Sequence, residues 1–174
     1  MTVLKKLYKG LDWFSNLLNQ ISIYLIAVLL GAMSVVVFLQ VVFRFCGRSL
    51  PWSGELARYM MIYMTYVGTA VAVRAKSHIA VEAAVGALPQ KAQEVAELVV
   101  DILLLVLFYV LIVYGWKLVQ ITMAQKSPAI GFKMGTIYAS IFISALLMTV
   151  HTFRNILGDL ITIFTKDEGG AIQK

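Results

Sequence analysis

The sequence has few of the residues that build catalytic and metal sites. Its 174 residues include one cysteine, two histidines and nine acidic residues. A single cysteine excludes an intrachain disulfide, and a zinc site needs three or four converging His, Cys or carboxylate ligands. The patterns G-x-x-x-x-G-K and G-x-G-x-x-G and a nucleophile-elbow motif are also missing. We therefore expect no enzymatic activity, no catalytic residue, no bound metal and no cofactor.

Charge is scarce as well. Charged residues make up 14% of the chain, against roughly a quarter in ordinary soluble domains, whereas hydrophobic residues make up 60%. The mean hydropathy is +0.84. This composition excludes a disordered chain and indicates several membrane spans. In a membrane protein the net charge of +6 suits loops that face anionic lipid, so no nucleic acid is expected as a partner.

The longest apolar stretch is ISIYLIAVLLGAMSVVVFLQVVF, at 21–43. It has no charged residue, and about 20 such residues are enough for a helix to cross the hydrocarbon core. Further apolar stretches follow at about 56–73, 95–116 and 135–151. The sequence therefore predicts an all-α membrane protein that forms a single membrane domain, 1–174, with four transmembrane helices.

The segments around the spans have patterns of their own. Residues 3–18 are amphipathic, with apolar side chains every three or four residues and polar side chains mainly opposite. This segment is either a helix lying in the membrane interface or an extension of the first span into the cytoplasm. A moderately apolar run at 79–88 is a second candidate interfacial helix, and a polar tail at 165–174 ends the chain.

The distribution of lysine and arginine predicts the orientation of the spans. Nine lie on the side that holds both termini: Lys5, Lys6, Lys9, Arg74, Lys76, Lys91, Arg154, Lys166 and Lys174. Six lie on the other side: Arg44, Arg48, Arg58, Lys117, Lys126 and Lys133. Because basic residues favour the cytoplasmic side, we expect both termini to be cytoplasmic.

Two features inside the spans indicate contacts. Small side chains form one face of the second span, and such faces let helices approach closely: Thr65, Gly68, Thr69 and Ala72. The partner helix belongs either to this chain or to another protein. Asp101 lies about a turn inside the third apolar stretch, and it should face protein or water because an unpaired carboxylate in lipid is costly.

Several short motifs occur in order along the chain. They are R-F at 44–45, P-W-S-G-E-L-A-R-Y at 51–59, G-T-A-V-A-V-R-A-K-S-H-I-A-V-E at 68–82, L-P at 88–89, Q-K-S-P-A-I-G at 125–131, and Tyr138 with L-M-x-x-H at 147–151. Together they resemble the small membrane subunit, DctQ- or SiaQ-like, of tripartite ATP-independent periplasmic (TRAP) transporters. One departure is that Gly54 and Glu55 stand where that family usually has two adjacent acidic residues.

The resemblance implies a structural role. In that family a large membrane subunit carries the substrate and sodium sites, and a periplasmic protein delivers a carboxylate such as sialic acid or a C4-dicarboxylate. The small subunit braces the large one in the bacterial inner membrane and helps to form the docking surface. The partners implied are therefore the large TRAP membrane subunit, a periplasmic substrate-binding protein and membrane lipid.

The resemblance also directs attention to particular residues. Those expected to contact the large subunit are Trp52, Glu55, Arg58, Gly68, Ala72, Arg74, His78, Glu97 and Asp101. Those expected to dock the binding protein are Arg44, Arg48, Lys126 and Lys133. Ordinary roles are open beside these: an interface anchor, a helix cap, a local ion pair, positive charge at a cytoplasmic end, or contact with lipid head groups.

A different class of function also fits a small four-span protein. The chain could anchor a redox enzyme complex in the membrane, with His78 or His151 as a haem ligand. The sequence places one histidine in a loop and the other near a helix end. Neither position suits a haem within the membrane.

Overall fold

The architecture follows from a computed structural model, which describes residues 2–75 and 90–170. Four helices follow one another along these ranges: α1 (Thr2–Phe45), α2 (Pro51–Arg74), α3 (Gln90–Thr122) and α4 (Met134–Gly170). Each contains a stretch that is long and apolar enough to cross a membrane. The prediction of an all-α membrane protein with four spans is therefore confirmed.

The amphipathic segment 3–18 and the first span form one helix. α1 has 44 residues, which gives a length of about 66 Å at 1.5 Å per residue. Segment 3–18 is therefore continuous with the first span, while its depth in the membrane stays a prediction. Residues 165–170 of the polar tail continue α4. The run at 79–88 and residues 171–174 lie outside the described residues.

Helix α4 is central, because it contacts each of the other three helices. α1 also packs on α2, whereas the backbones of α1 and α3 do not approach each other closely within the described ranges. α3 and α4 come close together at Gly135, where a Cβ atom would lie 2.7 Å from the carbonyl oxygen of Val119. Only glycine permits this distance. Gly115 and Phe142 lie side by side further along the same contact.

The apolar core is small and joins three helices. Ala70 and Val73 of α2 pack with Phe108 of α3 and Met148 of α4. Most other apolar side chains point outward, and the most apolar 18-residue window of α1 contains no buried residue. Apolar surface on this scale is stable only when lipid or another protein covers it.

The bundle has two ends with different chemistry. The turn end holds the connection from α1 to α2 and the connection from α3 to α4. The terminal end holds the first half of α1, the last turn of α2, the start of α3 and the second half of α4. Polar contacts between the helices concentrate at these two ends.

Candidate functional site

At the turn end, the chain between α3 and α4 folds into a compact turn, residues 126–133. Lys126 and Lys133 face each other across it as a single antiparallel bridge. The Ser127 N–H donates to the Phe132 carbonyl at 2.8 Å. Gly131 has a positive φ of 79°, a conformation that glycine adopts without strain. These contacts fix the direction in which the two lysines leave the backbone.

A single carboxylate holds this turn against α2. Oε2 of Glu55 accepts hydrogen bonds from the Ser127 hydroxyl at 2.9 Å and from the N–H groups of Ala129 and Ile130, both at 3.0 Å. The hydroxyl of Tyr63 in α2 also donates a hydrogen bond to the backbone carbonyl of Thr136, in the first turn of α4. The motifs at 51–59 and 125–131 are therefore in direct contact.

The neighbours of Glu55 remain open to other molecules. Trp52 is 40% exposed and Arg58 is exposed. No ion pair joins Glu55 to Arg58 in the described part of the chain. The carboxylate points at the turn instead, because three donors converge on it there.

The predicted docking residues, which we call the basic surface, are all exposed at the turn end: Arg44, Arg48, Lys126 and Lys133. Arg44 and Arg48 border the connection from α1 to α2, and the lysines lie on the 126–133 turn. Within 44–60 and 115–135 the only acidic residue is Glu55, whose carboxylate is engaged by the turn. This end of the bundle therefore has a clear excess of positive charge.

At the terminal end, charged side chains connect α1, α2 and α4. Oδ1 of Asp12 in α1 lies 2.8 Å from Nε of Arg154 in α4 and 3.7 Å from Nη2 of Arg74 in α2. Arg74 also donates from Nη1 to Oδ1 of Asn16 at 3.0 Å. We call this set, Asp12, Asn16, Arg74 and Arg154, the clasp.

A buried polar layer lies directly below the clasp. The Ser15 hydroxyl is 2.8 Å from Nδ1 of His151, and neither residue is exposed to solvent. Asn155 donates from Nδ2 to the carbonyl of Val73 at 3.0 Å. Hydrogen bonds of this kind hold membrane helices together where apolar contact gives little preference over lipid.

The residues predicted to contact a large subunit fall into separate groups. Gly68 lies against Ile26 of α1, so the small-residue face is partly used within this chain. Ala72, Thr65 and Thr69 on the same helix stay exposed. Asp101 is 5% exposed and, as expected, faces protein.

The remaining predicted contact residues differ in their surroundings. Glu97 is exposed, whereas Arg74 belongs to the clasp. His78 lies outside the described residues. Whether any of these residues meets another subunit stays a prediction.

Sequence reasoning missed most of the clasp. The sequence places Asp12 and Asn16 on the polar side of the amphipathic segment 3–18 and Arg154 among the basic residues on the side of the termini, but it does not indicate that they meet. The structure turns the polar side of α1 toward α2 and α4. The apolar side faces outward, with Leu7 60% and Trp13 69% exposed. A lipid environment explains this inversion, since polar groups there must find partners inside the protein.

Comparison with known proteins agrees with the order of motifs. The family model described as "Tripartite ATP-independent periplasmic transporters, DctQ component" matches residues 33–162. A TRAP transporter small permease protein of Haemophilus influenzae is 26% identical over 137 residues, which are 78% of this chain and 85% of the relative. The sialic acid TRAP transporter small permease protein SiaQ of Vibrio cholerae is 38% identical over 69 residues, 40% of each chain.

One relative is much longer than this chain. The isethionate TRAP transporter permease protein DctMQ of Oleidesulfovibrio alaskensis is 27% identical over 146 residues. These residues are 79% of this chain but only 23% of the relative. The region matched by the family model includes the 126–133 turn, Glu55 and Arg154, whereas the first half of α1 lies before it.

Proposed function

Since the chain belongs to the family of DctQ components of tripartite ATP-independent periplasmic transporters, we propose that it braces a large transport subunit and helps to dock a periplasmic binding protein. It is a small permease subunit, a membrane protein and a non-enzymatic component of transport. The large subunit would hold the solute, and this chain would hold the large subunit in place.

We assign the contact with the large subunit to the exposed small-residue face of α2. Thr65, Thr69 and Ala72 are exposed although they lie in an apolar helix and could have packed inside the bundle. Small side chains permit close helix contact, which in lipid is a main source of association energy. The DctMQ relative supports such a contact, because a region like this chain forms part of a longer permease there.

We assign docking of the periplasmic binding protein to the basic surface at the turn end. Its four side chains are exposed, and the one carboxylate nearby is engaged in the 126–133 turn. Charges at the rim of an interface mainly raise the association rate and make it dependent on salt. We place this end in the periplasm, both termini in the cytoplasm and the chain in the bacterial inner membrane, following the nine-to-six distribution of basic residues.

The transported solute is proposed from the family resemblance and from the names of the relatives. One relative is named for sialic acid and another for isethionate, both small organic anions. We propose uptake of a carboxylate, sialic acid or a C4-dicarboxylate, driven by sodium through the large subunit. The redox-anchor alternative is not favoured, because the family that the chain matches is one of transport subunits.

Co-purification tests the bracing role. A tagged chain is co-expressed with its large subunit, and the yield of the large subunit is compared between wild type, Ala72→Leu and Ala27→Leu. Both alanines are exposed in apolar helices, but only Ala72 lies on the small-residue face. We expect Ala72→Leu alone to reduce recovery. Equal recovery from all three chains would contradict the assigned face, and solute transport by this chain alone in liposomes would refute the role itself.

A further inference from the structure

Two guanidinium groups in the clasp share one carboxylate oxygen. Nε of Arg154 and Nη2 of Arg74 approach the same atom, Oδ1 of Asp12, at 2.8 and 3.7 Å. One carboxylate neutralises only one of the two positive charges. The helix segments that meet here, 2–20, 70–75 and 150–161, contain five basic and two acidic residues. α3 also begins at this end and carries Glu97 and Asp101; it packs on α4 and does not approach the backbone of α1 in the described ranges.

Within residues 2–75 and 90–170, both guanidinium groups keep donors for a further anion. Arg154 uses Nε for Asp12 and Nη1 for Asn155, while Arg74 uses Nη1 and Nη2. Nη2 of Arg154 and Nε of Arg74 have no acceptor among the described residues. The two side chains are 25% and 15% exposed, so an anion can reach them from outside. Tyr8 lies under the Arg154 guanidinium at 5.5 Å and helps to fix its plane.

The clasp lies at a position in the bundle where a lipid head group can reach it. Arg74 is the last residue of α2, so the clasp lies where that span ends. Phe153, next to Arg154 in the chain, is 51% exposed. An anionic head group at the clasp would thus have an exposed apolar side chain, Phe153, beside it for an acyl chain.

We propose that Arg74 and Arg154 bind the phosphate of an anionic phospholipid at the terminal end of the bundle. Guanidinium groups match phosphate oxygens in geometry and charge, and basic pockets between spans are sites for acidic head groups. Asp12 competes with the lipid for the two guanidinium groups but engages them through one oxygen only, which leaves their outer donors to the lipid. The site exists whether or not the chain braces a transport subunit.

A lipid titration of the purified full-length chain in neutral detergent tests the site. Bound lipid is counted by native mass spectrometry, with phosphatidylglycerol, phosphatidylcholine and inorganic phosphate as separate ligands. Three variants are compared with wild type: Arg154→Gln at the site, Asp12→Asn beside it, and Lys117→Gln, which removes one exposed positive charge at the opposite end. Circular dichroism checks that each variant is folded.

We expect wild type to prefer phosphatidylglycerol to phosphatidylcholine. Arg154→Gln should weaken phosphatidylglycerol binding about tenfold, the usual effect of losing one charged hydrogen bond, while Lys117→Gln leaves it unchanged. Asp12→Asn should bind at least as tightly as wild type, because the competing carboxylate is gone; this variant decides the matter if Arg154→Gln does not fold. Equal binding of both lipids, or weaker binding by Asp12→Asn, would overturn the site. Inorganic phosphate that competes as well as the lipid would overturn the lipid assignment.

Discussion

The close contact between α3 and α4 predicts that alanine substitutions at two of its glycines change stability by different amounts. A third glycine, in α1, serves as a control outside the contact. A Cβ atom at Gly135 would lie 2.7 Å from the Val119 carbonyl oxygen and 2.8 Å from the Met123 side chain. At Gly115 the nearest atoms would be 3.6 Å away, an ordinary contact, and at Gly31 nothing lies within 4 Å. The same added methyl group therefore meets a backbone clash, a close fit or open space, depending on position.

The magnitudes follow from packing and helix propensity. Gly135→Ala forces the two helices apart, and overpacking of this kind costs about 1–3 kcal/mol. At roughly 2–4 °C per kcal/mol for a chain of this size, the melting temperature should fall by about 3–10 °C. Gly31→Ala should gain about 0.5–1 kcal/mol, because alanine favours the helix over glycine. Gly115→Ala should fall between the two.

Thermal unfolding in detergent, followed by tryptophan fluorescence, measures all three variants under one condition. Trp116 lies on α3 and packs with Phe142 of α4 at 5.3 Å between ring centroids, so its emission reports on this contact. The melting temperature should be highest for Gly31→Ala, intermediate for Gly115→Ala and lowest for Gly135→Ala. A Gly135→Ala chain that unfolds at the wild-type temperature would refute the close approach of α3 and α4.

Three other predictions concern the two ends of the bundle. Glu55→Gln should speed hydrogen exchange of the amides in the 126–133 turn, since the charge on their acceptor is lost, whereas Arg58→Gln should not. Ser15→Ala should lower stability by roughly 1–3 kcal/mol because its buried histidine partner loses a hydrogen bond, while Ser34→Ala, exposed and bonded only to its own helix, should change stability little in a thermal melt. Neutralising the basic surface should slow association with the binding protein in stopped-flow mixing and flatten its salt dependence; an unchanged rate would exclude docking there.

The spans were predictable because lipid imposes a simple requirement on sequence. A helix that crosses the hydrocarbon core must be apolar along its length, and each of the four stretches found by composition lies in a helix. The ends were less predictable. Hydropathy falls after 43 and before 21, but α1 continues back to Thr2, since hydrogen bonds within a helix do not depend on lipid.

The partners of the polar residues could not be predicted from the sequence. The motifs marked Glu55 and Arg74, yet Glu55 meets Ala129, 74 positions away, and Asp12 meets Arg154, 142 positions away. Helical periodicity indicates which face a residue occupies, but it does not indicate which helix covers that face. Only the order in which the helices pack supplies that information.

The inverted pattern of α1 connects these contacts to the role of the chain. A helix on the surface of a soluble protein turns its apolar side inward, whereas α1 turns Asp12, Ser15 and Asn16 toward its neighbours and leaves its apolar side outside. Polar contacts thus fix α1 within the bundle and leave apolar surface for lipid and for another subunit. Among the described residues, the ion pair and the hydrogen bonds that join different helices lie mainly at the two ends, where they connect parts of the same chain. This arrangement favours a brace that holds its shape while a partner moves the solute.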